Sequence, residues 1–302
     1  MYFPIADVFI DPLYLLAIGF LVGVLGGFFG VGGGFIASPM MFLAGVPMNF
    51  VVGTDLAHMT GKSIVAAKRH RTLGHVDFKL GLVMVLATIP GVELGARIVE
   101  ELQRIGMVDQ VIGITYIVIL LVIGAFTAWE SLQAMRMVRI QRLDAQDAVA
   151  FRNITQRMHR IQLWPMVSFP ASGIGAISLW VVLGVGFISG VLAGTLGVGG
   201  GFIRMPLLVY VVGMPTHVAI GTDLFEIVIS ASYGTLTHAV KGNVDIMIAL
   251  VMGTGGAIGA QIGAVSTNYF AGPRIRLLFS ILPLFGALLM AAQLLGINMP
   301  GL

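Results

Sequence analysis

The residues in this chain best suited to chemistry occur twice. Gly30-Val31-Gly32-Gly33-Gly34-Phe35-Ile36 runs on to Pro39, and Gly197-Val198-Gly199-Gly200-Gly201-Phe202-Ile203 runs on to Pro206. Each glycine weakens a helix by about 1 kcal/mol relative to alanine, so three in succession should break one. A break frees backbone N–H groups at the start of the next helical piece, here at Phe35 and Phe202. Free N–H groups at a positive helix end bind an anion without a cationic side chain. Glycine also takes the positive φ that a backbone nest requires. The predicted binding set is therefore Gly32, Gly33, Gly34 and Phe35 with Gly199, Gly200, Gly201 and Phe202. The competing reading is that the glycines only let the chain cross tightly.

A second doublet follows each run: Gly53-Thr54-Asp55-Leu56 and Gly221-Thr222-Asp223-Leu224. Both are expected where a helix begins. Two roles stand open for them. The side chains can cap exposed N–H groups, or the Thr54 and Thr222 hydroxyls can bind substrate while Asp55 and Asp223 carry a proton. A carboxylate in a low dielectric suits proton relay. Arg204 lies just past the second run, where the first copy has Ala37. It is either the single cation for an anionic ligand or a snorkelling side chain. His58 and Lys62 share a helical face with Asp55. Glu93, opposed by Gln261 in the other copy, is spaced to pair with Arg97. His70 and His238 match across copies but fall at loop edges. No cluster has metal-ligand spacing, no nucleophile–base set stands out, and no cofactor is implied. A phosphate loop fails because no Lys-Ser/Thr follows the glycines and no strand precedes them. These absences argue against an enzyme.

The elements that position these residues are apolar. Of the 302 residues 57% are hydrophobic and only 10% charged, with mean hydropathy +0.97. Soluble domains carry about 25% charged residues. The chain therefore reads as an all-α polytopic membrane protein, since spanning backbone must bond within itself and no barrel-strand alternation is present. The bilayer is its partner; the small excess of Lys and Arg lies in loops and indicates topology rather than nucleic-acid binding. There are no cysteines, so no disulfide framework exists. Aligning 21–39 with 188–206 gives 12 identities in 19 positions. Gly74, Val76 and Asp77 match Gly242, Val244 and Asp245 further on.

Two homologous repeats follow: 1–129 and 164–302, joined by 130–163. Spanning candidates are 13–29, 78–98 and 108–129 in the first copy, and 174–196, 244–267 and 277–296 in the second. The apolar pieces 35–46 and 202–213 are too short to span. Polar helices at 50–67 and 218–236 follow them. Lys68-Arg69-His70-Arg71 reads as a basic loop. The linker, rich in Arg, reads as an amphipathic helix on or below the membrane. Gly23/Gly27, Gly91/Gly95, Gly190/Gly194 and Gly259/Gly263 form small-residue faces for close helix packing. A homodimer could use the same faces.

Positive charge places the linker and Lys68–Arg71 in the cytoplasm. Thr237–Gly242 keeps only Lys241, whereas the 99–107 loop carries Glu100, Glu101 and Arg104 against Arg274 and Arg276 in the other copy. This bias favours inverted repeats, the short piece and the following helix forming a hairpin in each. The alternative makes 13–46 one long broken helix in parallel repeats.

Two copies of G-x-G-G-G-F-ϕ-x-x-P (ϕ apolar), each followed by G-T-[DS]-L, resemble the TauE/SafE family of membrane anion exporters. The resemblance runs from about 13 to 297. It implies a cytoplasmic-membrane transporter that exports sulfite or a small sulfonate such as sulfoacetate. Its motif falls on the two glycine runs and on Thr54, Asp55, Thr222 and Asp223. Two alternatives are an anion channel of the same fold and an exporter of a non-sulfur organic anion. The 34-residue linker departs from the barest family form.

Overall fold

A computed structural model describes residues 1–141, 155, 158–160 and 163–294. The first repeat opens with a short hairpin, β1 (Tyr2–Phe3) and β2 (Val8–Phe9). It continues with α1 (Pro12–Phe29), α2 (Gly34–Leu43), α3 (Met48–Thr72), α4 (Phe78–Arg104) and α5 (Val108–Gln141). The second opens with β3 (Met166–Phe169) and β4 (Ile174–Ser178). Its helices are α6 (Leu179–Leu196), α7 (Gly201–Leu207, extended by a π-turn over Leu208–Val212), α8 (Thr216–Val240), α9 (Ile246–Ser266) and α10 (Gly272–Leu294). Among the described residues six helices are long and apolar enough to cross a membrane: α1, α4, α5, α6, α9 and α10. This is a multi-pass helical membrane protein.

The glycine runs reverse the chain. Gly32 and Gly33 have φ +66° and +78°, and Gly199 and Gly200 have +64° and +72°. Two successive left-handed residues cannot continue a right-handed helix, so α2 turns back along α1. The Tyr14 hydroxyl donates to the Met40 carbonyl at 3.1 Å, and a β-carbon on Gly33 would fall 2.5 Å from Val22 Cγ1. Thus 13–46 is not one long broken helix. The short piece lies between α1 and the following helix, and α3 returns alongside it, Ser38 Oγ donating to Asp55 Oδ2 at 2.8 Å, so α2 and α3 form the expected hairpin.

Three further expectations need correction. The helix after the first break runs to Thr72, so Lys68, Arg69, His70 and Arg71 form its last turns, not a loop. Cationic side chains suit that negative helix end. Residues 174–178 are a strand, because Val167 and its neighbours pair with them in register Val167↔Ile177. The α5 helix extends past 129 to Gln141, and most of the rest of the stretch expected as an amphipathic linker helix lies outside the described residues. Of that stretch, Thr155 donates to the Tyr210 carbonyl at 2.7 Å and His159 Nε2–H to the Val212 carbonyl at 2.9 Å.

The small-residue faces work inside the chain. A β-carbon on Gly23 would lie 2.3 Å from the Gly256 carbonyl oxygen, and one on Gly194 2.2 Å from that of Val92. The α1–α9 and α4–α6 backbones thus touch, and packing rather than water exclusion holds them. Contacts step in one direction, Gly19 to Met252, Gly23 to Gly256 and Gly27 to Ala260, so α1 and α9 run parallel.

The two repeats are tied together crosswise. Asp77 caps α4 by accepting from Leu80 N at 3.0 Å, and Asp245 caps α9 by accepting from Met247 N at 3.0 Å. The backbone N–H of Asp77 donates to Thr222 Oγ1, and that of Asp245 to Thr54 Oγ1, both at 2.9 Å. The start of α8 therefore sits by the start of α4, and the start of α3 by the start of α9. At the opposite helix ends, His70 Nε2–H donates to the Gly27 carbonyl and His238 Nε2–H to the Gly194 carbonyl, both at 2.9 Å.

Candidate functional site

The two glycine runs meet. A β-carbon on Gly34 would fall 2.7 Å from Val198 Cα, and one on Gly201 2.8 Å from Val31 Cα. Met59 on α3 and Ile227 on α8, equivalent residues of the two copies, pack over both Gly32 and Gly199. With Leu56 and Ala231 they form a separate buried apolar cluster. Phe35 and Phe202 are fully buried. The Phe35 ring faces Phe279 edge-on, centroids 6.0 Å apart, which leaves its backbone as the part nearest the break.

Thr54, Asp55, Thr222 and Asp223 do not begin helices. The helices start at Met48 and Thr216, behind Pro47 and Pro215. Proline is favoured at helix starts because it needs no N–H partner there, and it sets these starts about two turns upstream. Capping by Asp55 and Asp223 is therefore wrong, and the caps are Asp77 and Asp245. The two threonines instead hold the N–H groups of those caps in the other repeat.

Each aspartate anchors a buried polar cluster. In the first copy Asp55 Oδ2 accepts from Ser38 Oγ at 2.8 Å. His58 Nδ1 lies 3.2 Å from Asp55 Oδ1 and 3.3 Å from Lys62 Nζ. The Tyr116 hydroxyl donates to the Gly34 carbonyl at 2.8 Å. A β-carbon on Gly34 would lie 2.9 Å from Asp55 Oδ2, so this carboxylate sits at the N-terminus of α2, where an anion was expected. Lys62 is 2% exposed and Asp55 0%.

In the second copy Arg204 is the hub. Its Nη1 donates to Asp223 Oδ1 at 2.9 Å and also contacts Glu226 Oε2. Its Nε donates to Ser189 Oγ at 3.0 Å and its Nη2 to the Gly199 carbonyl at 3.4 Å. Ser230 Oγ donates to Glu226 Oε2 at 3.1 Å. Arg204, Asp223 and Glu226 are all fully buried, so Arg204 does not snorkel. It faces the second glycine run.

The structure thus brings the two glycine runs, Phe35, Phe202, Asp55, Asp223 and Arg204 together at the breaks, whereas the Thr54 and Thr222 hydroxyls are turned to the N–H groups of Asp245 and Asp77. It adds Ser38, Tyr116, Ser189, Glu226 and Ser230. Glu226 carried a usable signal, an acid one turn past Asp223 in an apolar helix, at the position where the first copy has His58. Glu93 pairs with Arg97 at 2.9 Å on the surface and stays outside the region. His70 and His238 are buried tethers rather than loop-edge residues. Arg276, read as a loop charge, is buried; it contacts Glu130 at 3.2 Å and donates to Thr216 Oγ1 at 2.6 Å. Among the described residues no group of His, Asp and Glu could hold a metal ion.

Paired re-entrant hairpins meeting over buried ionisable side chains, in a multi-pass helical protein, define a membrane transporter. Irregular backbone and buried charge inside a membrane are both features of transport sites. The chain matches the family model "Sulfite exporter TauE/SafE" over residues 15–290 and belongs to that family. The probable membrane transporter protein YunE of Bacillus subtilis is 27% identical over 261 residues, covering 83% of this chain and 86% of that one. A probable membrane transporter protein of Xylella fastidiosa (strain Temecula1) is 38% identical over 114 residues, 37% of this chain and 44% of that one. Sulfite exporter TauE/SafE family protein 5 of Arabidopsis thaliana is 26% identical over 120 residues, 37% of this chain and 27% of that one. No solved structure matches the chain.

Proposed function

We propose that the protein is a secondary carrier that exports a small sulfur-containing anion, sulfite or a sulfonate such as sulfoacetate. The observation that carries this reading is the contact between the two glycine breaks, with Arg204 beside the second. The family description and the printed name of the Arabidopsis relative support the sulfur chemistry. In this reading the anion lies between the backbone N–H groups following Gly33 and Gly200, within reach of Arg204. Carboxylates already hold the cations there, so binding requires them to yield. Asp55 and Asp223 are the candidates to take a proton as they do so.

Inverted repeats suit this plan, because transporter sites form where discontinuous helices of two inverted copies meet. Supporting them, the starts of α3 and α9 lie at one end of the molecule and the starts of α8 and α4 at the other. Lys68, Arg69 and Arg71, at the end of α3, lie on the same side as the linker. That side is the cytoplasm by the positive-inside rule, which puts the N-terminal hairpin outside. The repeats would then exchange access by rocking against each other. Proteoliposomes test the reading: internal sulfite should accelerate uptake of labelled sulfite, as a carrier requires. Flux without such trans-stimulation would indicate a channel, and no flux of any sulfur anion would reject the reading.

A further inference from the structure

We propose that Asp223 and Glu226 share one proton over Arg204, and that an anion reaching Arg204 displaces one of them, which then takes up a proton. The inference rests on the anion-carrier reading and deepens it by assigning the proton site. It starts from charge and geometry. Asp223 and Glu226 lie three residues apart on one face of α8. Both reach the same nitrogen of Arg204, and all three side chains are 0% exposed. Two carboxylates against one guanidinium leave one negative charge uncompensated in a dry interior. Ionised buried carboxylates without a partner are costly, and two sharing a site resist ionising together. Asp223 Oδ2 and Glu226 Oε1 have no hydrogen-bond partner among the described residues. One of these oxygens is where the compensating proton fits.

The neighbouring elements do not supply that compensation. The buried titratable side chains of α3 are Asp55, His58, Lys62 and His70. His58 lies against Asp55, Lys62 against His58, and His70 against the Gly27 carbonyl. From α4 come Glu93, bonded to Tyr233, and the cap Asp77. The π-turn brings Tyr210, whose hydroxyl donates to Glu130. The α6 helix brings Ser189 and no ionisable side chain. Arg204 on α7 is the cation in contact with Glu226.

The two copies differ here in a telling way. Positions 55, 58 and 62 hold Asp, His and Lys; the equivalents 223, 226 and 230 hold Asp, Glu and Ser. The second copy therefore carries the additional acid and, through Arg204 in place of Ala37, a guanidinium. A guanidinium binds the paired oxygens of an oxyanion as it binds a carboxylate. Ser189 takes the Nε–H and Gly199 one of the two Nη2–H groups, which leaves a single Nη2–H, so an oxyanion that engages the guanidinium through two N–H groups must take one from a carboxylate at Nη1. The displaced carboxylate gains a proton from water and becomes a neutral carboxyl. Anion binding and protonation thus favour each other, so affinity should fall as pH rises.

The test uses purified full-length protein in detergent. Sulfite and sulfoacetate binding is measured by calorimetry, and proton uptake by an indicator dye in weak buffer. Infrared difference spectra follow the carbonyl band of a protonated carboxyl. Wild type should take up about one proton per anion, with affinity falling about tenfold per pH unit over the range in which the shared proton is held. The infrared band should be present before the anion is added; either Glu226→Gln or Asp223→Asn should remove it from the resting protein, and the two together should abolish the uptake. Binding without proton uptake, or a band unchanged in both variants, overturns the inference alone. Absence of binding by every sulfur anion overturns the carrier reading and this inference with it. The wild-type spectrum keeps the test decisive if a variant fails to fold.

Discussion

The Thr54 hydroxyl accepts the backbone N–H of Asp245 at 2.9 Å, joining residues 191 positions apart. Its counterpart Thr222 does the same for Asp77. Each repeat thus positions the first turn of a long helix in the other. Thr54→Val keeps the shape but leaves a buried N–H without its acceptor, which costs about 1–3 kcal/mol. Thermal unfolding in detergent should show that loss, and Thr54→Ser should restore most of it. Equal stability of the Val variant would mean that the bond contributes nothing.

Gly33→Ala and Gly200→Ala should each abolish transport while the protein still inserts. Both glycines have positive φ, which costs an L-residue roughly 1–2 kcal/mol. The added carbon would also lie 2.6 Å from the Val22 carbonyl oxygen in one case and 2.5 Å from that of Ser189 in the other. The check is flux normalised to protein in the bilayer. Wild-type flux in both variants would remove the breaks from the site.

Arg204→Gln should be among the most destabilising single changes, by about 3–5 kcal/mol, because it leaves two buried acids unpaired. Adding Glu226→Gln and Asp223→Asn should recover much of that stability but no transport. A thermal-stability cycle over these variants reads the coupling directly. Strict additivity would contradict the cluster.

Because the chain has no cysteine, single cysteines report topology without background. Cysteines at positions 74 and 271 should be labelled from the cytoplasmic side, and those at 106 and 242 from the other. Labelling of positions 74 and 242 from the same side would contradict inverted repeats, since these turns are equivalent in the two copies.

Much of this was legible in the sequence, because the signals were local. Apolar stretches near 20 residues marked six of the helices, and the doubled glycine run marked the breaks. What escaped depended on tertiary partners. Nothing local shows that Gly32 and Gly33 fold α2 back along α1 rather than onward, since either path satisfies the same backbone. The helix starts at Met48 and Thr216 were signalled by Pro47 and Pro215, but the oxygen-bearing pairs Thr54-Asp55 and Thr222-Asp223 imitated caps. Their hydroxyls serve backbone N–H groups from another part of the chain, which no sequence window contains. Arg276 looked like a surface charge because its partner Glu130 is 146 residues away. Glu226 is legible from sequence, an acid three residues after Asp223 in an apolar helix.

The central claim is that the meeting of the two breaks is an anion site. The most direct test is charge movement and labelled-anion flux in proteoliposomes of the purified protein, with and without a pH gradient. The panel holds sulfite, sulfoacetate, thiosulfate, sulfate, taurine and lactate, each compared with Gly200→Ala. Saturable, trans-stimulated transport of sulfite or a sulfonate, lost in the variant, is the predicted result. No transport of any sulfur anion, or transport that survives unchanged in Gly200→Ala, would contradict the account.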